Sequence, residues 1–231
     1  MSHQIAIENR GLSPQHRGMK IVAWLSGVLA GMDPSPKPVD STLPPVVLVH
    51  GIHATAGDMT RLARALRAEG REVFTPTLNP HDGSVSIDFL AKQLDEYIEA
   101  NVKRRPFDLA GYSMGGVVTR CYLQRHSGLE KVRRYVTLCA PHHGTVMAAF
   151  NSGHGGKDMR RGSEFLTQLN AEADVLKDLP ITSFWTPTDL IIVPASSSKM
   201  PQAKNVRMWG LGHFTFIIER RGIRKVVEAL R

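Results

Sequence analysis

The chain has 231 residues, of which 42% are hydrophobic, and this length predicts one domain with a sizeable core. No apolar run reaches the roughly 18 residues that span a bilayer, and two cysteines are too few for a disulfide framework. The net charge is +8, but the basic residues are scattered along the chain and form no run interleaved with aromatic residues. This distribution indicates a solvated basic surface and argues against a nucleic-acid partner.

Residues 1–43 form a predicted segment of their own, an apolar helix followed by a proline-rich linker. The apolar stretch comes after Lys20, and two interpretations stay open. It is either a cleaved signal peptide or an uncleaved helix that packs on the domain or contacts a membrane surface through residues 19–32. The polar lead is long for a signal peptide, so the uncleaved form and a cytoplasmic location are favoured, with secretion or membrane association as the alternative.

Residues 44–231 alternate strand-like and helix-like segments. Strands are predicted near residues 45–50, 72–76, 107–112, 132–139, 181–186 and 205–210. Helices with one apolar face are predicted near residues 57–69 and 86–102, over 114–125, and at the end of the chain. This alternation predicts an α/β fold, a mostly parallel sheet of about six strands with helices on both faces. Active sites in such sheets lie at the carboxyl ends of the strands.

The first predicted strand is a continuous apolar run, as is typical of a buried parallel strand, and it ends in His50-Gly51-Ile52-His53. We interpret His50 as a structural residue that shapes this loop. The side chain of His53 either lines a substrate pocket or is solvated.

The third predicted strand leads into Gly111-Tyr112-Ser113-Met114-Gly115, which fits the pattern Gly-x-Ser-x-Gly, and a helix-like segment follows. A serine at such a strand-to-helix turn occupies a strained, exposed position that suits a nucleophile. The backbone N–H groups of Ile52 and Met114 are then predicted to form an oxyanion hole. The alternative is a glycine-rich turn with a solvated serine.

A long insertion follows the fourth strand, and we predict a cap or lid over about residues 142–180. Met147 and Phe150 are predicted to wall the acyl pocket, and the glycines of residues 153–156 are candidates for a hinge. The alternative is an insertion that only packs over the sheet edge. The adjacent pair His142-His143 lacks partners at metal spacing, so we interpret it as a buttressing loop and predict no metal.

The fifth and sixth predicted strands are followed by the acid and the base that a nucleophilic serine needs. Asp189 follows one strand and His213 the other, which gives the chain order Ser113, Asp189, His213. Phe214, next to the histidine, is a predicted pocket residue. Alternatives within the insertion, none of which ends a strand, are Asp174, Asp178 and His154.

Together these motifs resemble the α/β-hydrolase superfamily and, within it, the bacterial lipases and esterases. The resemblance covers about residues 44–231, and Ala140 stands where many of those lipases have threonine. The matching stretches are His50-Gly51-Ile52, residues 111–116, 138–145, 189–194 and Gly212-His213-Phe214.

The resemblance implies a serine hydrolase that cleaves small-molecule or lipid carboxylic esters without a cofactor. The moderate size of the insertion and the 6% aromatic content favour short to medium acyl chains. Acyl transfer, thioester cleavage and amide cleavage on the same triad stay open as alternatives. A non-catalytic binding protein is disfavoured, because it predicts a broken triad, and the oligomeric state is left open.

Overall fold

The computed structural model describes residues 37–102, 105–126 and 128–231. The apolar helix, most of the linker and the membrane contact through residues 19–32 fall outside this part of the chain, so they stay predictions. Among the described residues, no helix has the length and apolar character needed to cross a membrane.

The centre of the fold is a six-stranded sheet in which every neighbouring pair of strands is parallel. The strands lie in the order β2-β1-β3-β4-β5-β6. Their bounds are β1 Val46–Val49, β2 Val73–Phe74, β3 Phe107–Tyr112, β4 Val132–Leu138, β5 Ile181–Trp185 and β6 Lys204–Arg207. The predicted α/β class and the strand number are therefore confirmed.

Helices cover both faces of this sheet. They are α1 Thr60–Arg67, α2 Ile87–Asn101, α3 Met114–Arg125, α4 His154–Asp158, α5 Glu164–Ala171 and α6 Arg220–Ala229. Successive residues of β1 point to opposite faces: Val47 and Val49 share a core with α2 and α3, whereas Val46 and Leu48 share one with α1 and α6. The continuous apolar run of β1 follows from this two-sided burial.

The strands β2 and β6 end at least two residues earlier than predicted, and in each case the chain supplies a reason. β2 has only two residues, and Pro76, which has no N–H to donate to a ladder, follows shortly after it. β6 ends at Arg207, and Gly210 takes a φ of +73° where the chain leaves the sheet.

The insertion after β4 contains α4, α5 and two 3₁₀ turns, Val146–Phe150 and Ala173–Leu176. Its second half packs on the face of the sheet that α2 and α3 cover, because Leu166, Leu169 and Leu176 are buried in the same core as α3. The buried Arg120 of α3 also donates to the backbone carbonyl of Leu169 at 2.9 Å.

The glycines considered for a hinge also have a packing role. A methyl group on Gly153 would overlap the carbonyl oxygen of Gly83, and one on Gly155 would overlap that of Val85. They let the start of α4 approach the loop before α2 closely. That the insertion acts as a lid stays a prediction.

Candidate active site

Ser113 occupies the sharp turn between β3 and α3. Its backbone has a φ of +53° and a ψ of −125°, a conformation that costs energy for any residue with a side chain. The turn needs glycine on both sides, because a methyl group on Gly111 would overlap the Gly115 carbonyl and one on Gly115 would overlap the His50 carbonyl. The two glycines therefore allow a tight turn in which Ser113 has neither strand nor helix backbone geometry.

A continuous series of hydrogen bonds joins Ser113, His213 and Asp189. The serine Oγ lies 3.0 Å from Nε2 of His213, and Nδ1 of the same ring lies 2.8 Å from Oδ2 of Asp189. All three side chains are buried. With the Nδ1 proton donated to the carboxylate, Nε2 is free to accept the serine proton.

The carboxylate of Asp189 is held in its ionised form. Its other oxygen accepts the backbone N–H groups of Ile191 at 2.9 Å and Ile192 at 2.8 Å. Burial alone would raise the pKa of Asp189, but the hydrogen bonds from His213 and from these two N–H groups outweigh it and lower the pKa. An ionised carboxylate at this position stabilises a positive charge on the imidazole.

The loop after β1 is fixed by His50. The Nε2 atom of His50 accepts the N–H of Leu78 at 3.0 Å, and its Nδ1–H donates to the carbonyl of Gly51 at 2.9 Å. Burial lowers the pKa of His50, which favours this neutral ring. The geometry agrees with the structural role expected for this histidine.

The two N–H groups considered for the oxyanion hole lie beside Ser113. Ile52 and Met114 both line the cavity that contains the serine. Within the described residues, no hydrogen bond uses the N–H of either one. Met114 opens α3, and the first N–H groups of a helix have no partner inside it. Both groups are therefore available to a bound oxygen.

The cavity at Ser113 has a volume of about 250 Å³ and a mainly apolar lining. His53, Met147 and Phe150 all line it, whereas Phe214 lies outside it and packs edge-on against the ring of His213 at 5.4 Å. Two of the lining side chains, Met147 and Phe150, are exposed apolar residues. Val146, Leu190 and Val193, which are next to lining residues in the chain, are exposed as well.

Cys139 lies close to this site, although no sequence motif singled it out. Its Sγ lies within 4.8 Å of the ligand-type atoms of both Asp189 and His213. Its backbone has a φ of +48°, which is uncommon outside glycine. Burial and the nearby Asp189 carboxylate raise the pKa of the thiol, so it stays protonated. The sequence could have indicated this from the position of Cys139 at the carboxyl end of β4, because β4 lies between the strands that precede Ser113 and Asp189.

Three further contacts that the sequence did not reveal hold the loops of the site together. The hydroxyl of Thr145 donates to the carbonyl of Ile191 at 2.7 Å, which ties the insertion to the acid loop. The hydroxyl of Thr188 donates to the carbonyl of Leu211 at 2.7 Å, and that of Tyr112 to the carbonyl of His213 at 3.3 Å.

The other candidates from the sequence lie elsewhere. His142 is fully buried, and its Nε2 lies 3.1 Å from the hydroxyl of Thr137, as expected of a buttressing loop. Burial and the nearby Arg120 lower its pKa. The alternative acids and the alternative base, Asp174, Asp178 and His154, are exposed on the insertion.

Comparison with known proteins gives one family and many structural neighbours. The family model of palmitoyl protein thioesterases matches residues 45–189, more than half of the chain. The search of curated protein sequences found no match to this chain.

Solved structures of lipases and esterases have the same fold. The mature form of a Bacillus licheniformis lipase aligns with a TM-score of 0.67 and 20% identity over 86% of this chain and 96% of that one. A putative lipase of Acinetobacter baumannii gives 0.61 and 19% over 96% of both chains. A thermophilic esterase of Thermogutta terrifontis gives 0.62 and 14% over 85% and 92%. At these identities the neighbours establish the fold alone.

Proposed function

The chain belongs to the palmitoyl protein thioesterase family of α/β-hydrolase proteins, and from this premise we propose that it is a serine acyl hydrolase. Its preferred substrates are carboxylic esters with short to medium acyl chains. One observation carries the proposal: Ser113, His213 and Asp189 are hydrogen-bonded in series, and Ser113 lines an apolar cavity.

The first half of the reaction acylates the serine. Oγ of Ser113 bonds to the acyl carbonyl carbon while Nε2 of His213 takes the hydroxyl proton. Asp189 keeps the Nδ1 proton in place and stabilises the imidazolium. The N–H groups of Ile52 and Met114 donate to the oxyanion, and each such donor contributes about 3 kcal/mol to barrier lowering.

The second half releases the acyl group. The imidazolium of His213 returns its proton to the leaving alcohol oxygen as the ester bond breaks. The same histidine then takes a proton from water, whose oxygen attacks the acyl-enzyme, and the carboxylic acid leaves with Ser113 restored.

The cavity supports the choice of acyl chain. Its volume of about 250 Å³ lies below the 300–1,000 Å³ typical of drug-sized ligand sites. Each methylene that it buries contributes about 0.8 kcal/mol, so kcat/KM should rise about fourfold per carbon until the cavity is filled. Phe150, which lines the cavity, is 84% exposed, and this open apolar surface suits a lipid ester whose remainder stays outside.

Thioester cleavage is the second candidate, and the family match favours it. The same serine, histidine and oxyanion donors serve both reactions, and a thiolate leaves with less need of a proton. Oxygen esters and thioesters of the same acyl group differ in the leaving atom. Their rates of hydrolysis therefore compare the two reactions directly.

The test measures kcat/KM for p-nitrophenyl esters from acetyl to palmitoyl, and for acyl thioesters of matched length. Activity should peak at short or medium chains and fall by at least about 10⁴-fold in Ser113→Ala. Ser41→Ala, an exposed serine in the loop before β1, is the control that should keep full activity. A fluorophosphonate should label the wild type and not Ser113→Ala. An inert wild-type protein that is also not labelled would overturn the proposal.

A further inference from the structure

A second group of reactive side chains lies between α2 and α3. It consists of Asp88 in the first turn of α2, Cys121 within α3 and His126 at the end of α3. The Sγ of Cys121 lies 3.5 Å from Oδ1 of Asp88, and Nε2 of His126 lies 3.4 Å from the same oxygen. None of the three lines the cavity beside Ser113.

These separations match the edges of a metal coordination shell. Tetrahedral zinc has bonds of about 2.0–2.3 Å to nitrogen, oxygen and sulfur, which places its ligand atoms about 3.3–3.8 Å apart. The two distances to Asp88 fall in this range, and all three ligand atoms lie within 4.8 Å of one another. A cation at the centre therefore requires only small side-chain movements.

Hydrogen bonding alone leaves this group incomplete. The thiol of Cys121 is placed to donate to Asp88, but Nε2 of His126 is buried and has no hydrogen-bond partner within the part of the chain that the structure describes. A buried polar atom without a partner costs about 1–3 kcal/mol, and natural folds rarely leave one. A ligand that accepts the nitrogen lone pair removes this cost.

We propose that Asp88, Cys121 and His126 bind a zinc-type divalent cation, with water in the fourth position. Thiolate, imidazole and carboxylate are the three ligand types that zinc takes in proteins, whereas magnesium and calcium take oxygen ligands. The cation is neutralised by one thiolate and one carboxylate. The side chain of Asp88 is 56% exposed, so water reaches the open side of the site.

The site has a structural role, because it lies between two helices rather than in a cavity. It cross-links the first turn of α2 to the second half of α3. Asp88 and Cys121 are 33 residues apart in the chain, and His126 is further along it. The helix α3 begins at Met114, so it connects the proposed cation site to the sharp turn at Ser113.

Cobalt titration of the metal-free full chain tests the proposal, because a thiolate bound to Co²⁺ gives a near-ultraviolet charge-transfer band. We expect the band to saturate at one equivalent, to disappear when Zn²⁺ displaces the cobalt and to be unaffected by excess Mg²⁺. Cys121→Ser should abolish it. His126→Asn should weaken cobalt binding by at least about tenfold while ester hydrolysis is unchanged.

The chain contains its own matched control. The second group of such ligands within the described residues is Cys139, Asp189 and His213, and it has one cysteine as well. Because Cys139 lies outside the proposed site, Cys139→Ser should keep the charge-transfer band. Ser113→Ala should keep it too, whatever its effect on ester hydrolysis. A wild-type protein without the band, a band that survives Cys121→Ser, or one lost in Cys139→Ser overturns the proposal. If Cys121→Ser does not fold, His126→Asn decides, and unchanged cobalt affinity in that variant counts against the site.

Discussion

The molecule places the same three side-chain types together twice, and the two groups differ in how their polar atoms are satisfied. Around the candidate triad, both ring nitrogens of His213 have protein partners, and Asp189 accepts two backbone N–H groups besides. Between α2 and α3, one carboxylate oxygen faces both a thiol and an imidazole, and Nε2 of His126 has no hydrogen-bond partner among the described residues. A histidine whose hydrogen bonds are complete is set up for proton transfer, whereas one with an unpartnered nitrogen is set up to bind a ligand.

The sharpest test of this difference replaces one carboxylate in each group. Asp189→Asn should lower kcat by about 10⁴-fold, because the amide holds the imidazole in the wrong tautomer. Asp88→Asn should leave kcat for the same ester unchanged. Both are measured with one p-nitrophenyl ester in metal-free buffer, and equal losses in the two variants would show that the groups do not act separately.

The sequence predicted the parts of this comparison that depend on local pattern. Ser113, Asp189 and His213 each follow a strand, and the Gly-x-Ser-x-Gly pattern marks the elbow, so their order and approximate placement could be inferred. The strand centres followed from apolar runs for the same reason. The strand ends did not, because they depend on single residues such as Pro76 and Gly210.

The parts that the sequence did not predict depend on contacts between distant segments. Asp88 and Cys121 lie on two different helices, 33 residues apart in the chain. Cys121 and His126 are close in sequence, but this pair alone does not form a recognised metal-binding motif. Cys139 is similar to any small core residue until its φ of +48° and its approach to Asp189 are known. The packing of Gly153 against Gly83 likewise needs the folded chain.

Zinc binding should give the next largest effect. A cation at one hundred times its Kd stabilises the folded state by about 2.7 kcal/mol, which corresponds to a rise in Tm of about 5–10 °C for a chain of this size. Thermal unfolding of the chelator-treated protein with and without Zn²⁺ measures this rise. Cys121→Ser should lose it and Cys139→Ser should keep it, so a rise shared by both variants would place the stabilising zinc elsewhere.

The two cysteines should also separate in catalysis. The Sγ of Cys139 lies within 4.8 Å of the ligand-type atoms of Asp189 and His213, so Cys139→Ala should lower kcat about fivefold, the equivalent of about 1 kcal/mol for one weak polar interaction. Cys121→Ala should leave kcat unchanged in metal-free buffer. Steady-state hydrolysis of one ester by both variants checks this, and KM should change little in either. Equal rates in Cys139→Ala and the wild type would reduce Cys139 to a packing residue.

The smallest expected effect is the acid dependence of stability that Asp189 confers. Its pKa in the folded chain lies below the ordinary value of 3.8, because the hydrogen bonds from His213, Ile192 and Ile191 outweigh burial. Its ionised form therefore stabilises the fold above the unfolded-state pKa, and this contribution is lost as the pH falls through the lower folded-state value.

Urea unfolding between about pH 5 and pH 2 measures this contribution as the difference in unfolding free energy between the wild type and Asp189→Asn. The difference should shrink towards the acid end, because the asparagine cannot take up the proton that the aspartate binds. Ser113→Ala keeps the carboxylate and its bond to His213, so its acid dependence should follow the wild type. A difference that does not change down to the lowest pH would mean that the hydrogen bonds to Asp189 do not favour its charge. The contrast between the two Cys-Asp-His groups would then depend only on Nε2 of His126, which has no hydrogen-bond partner among the described residues.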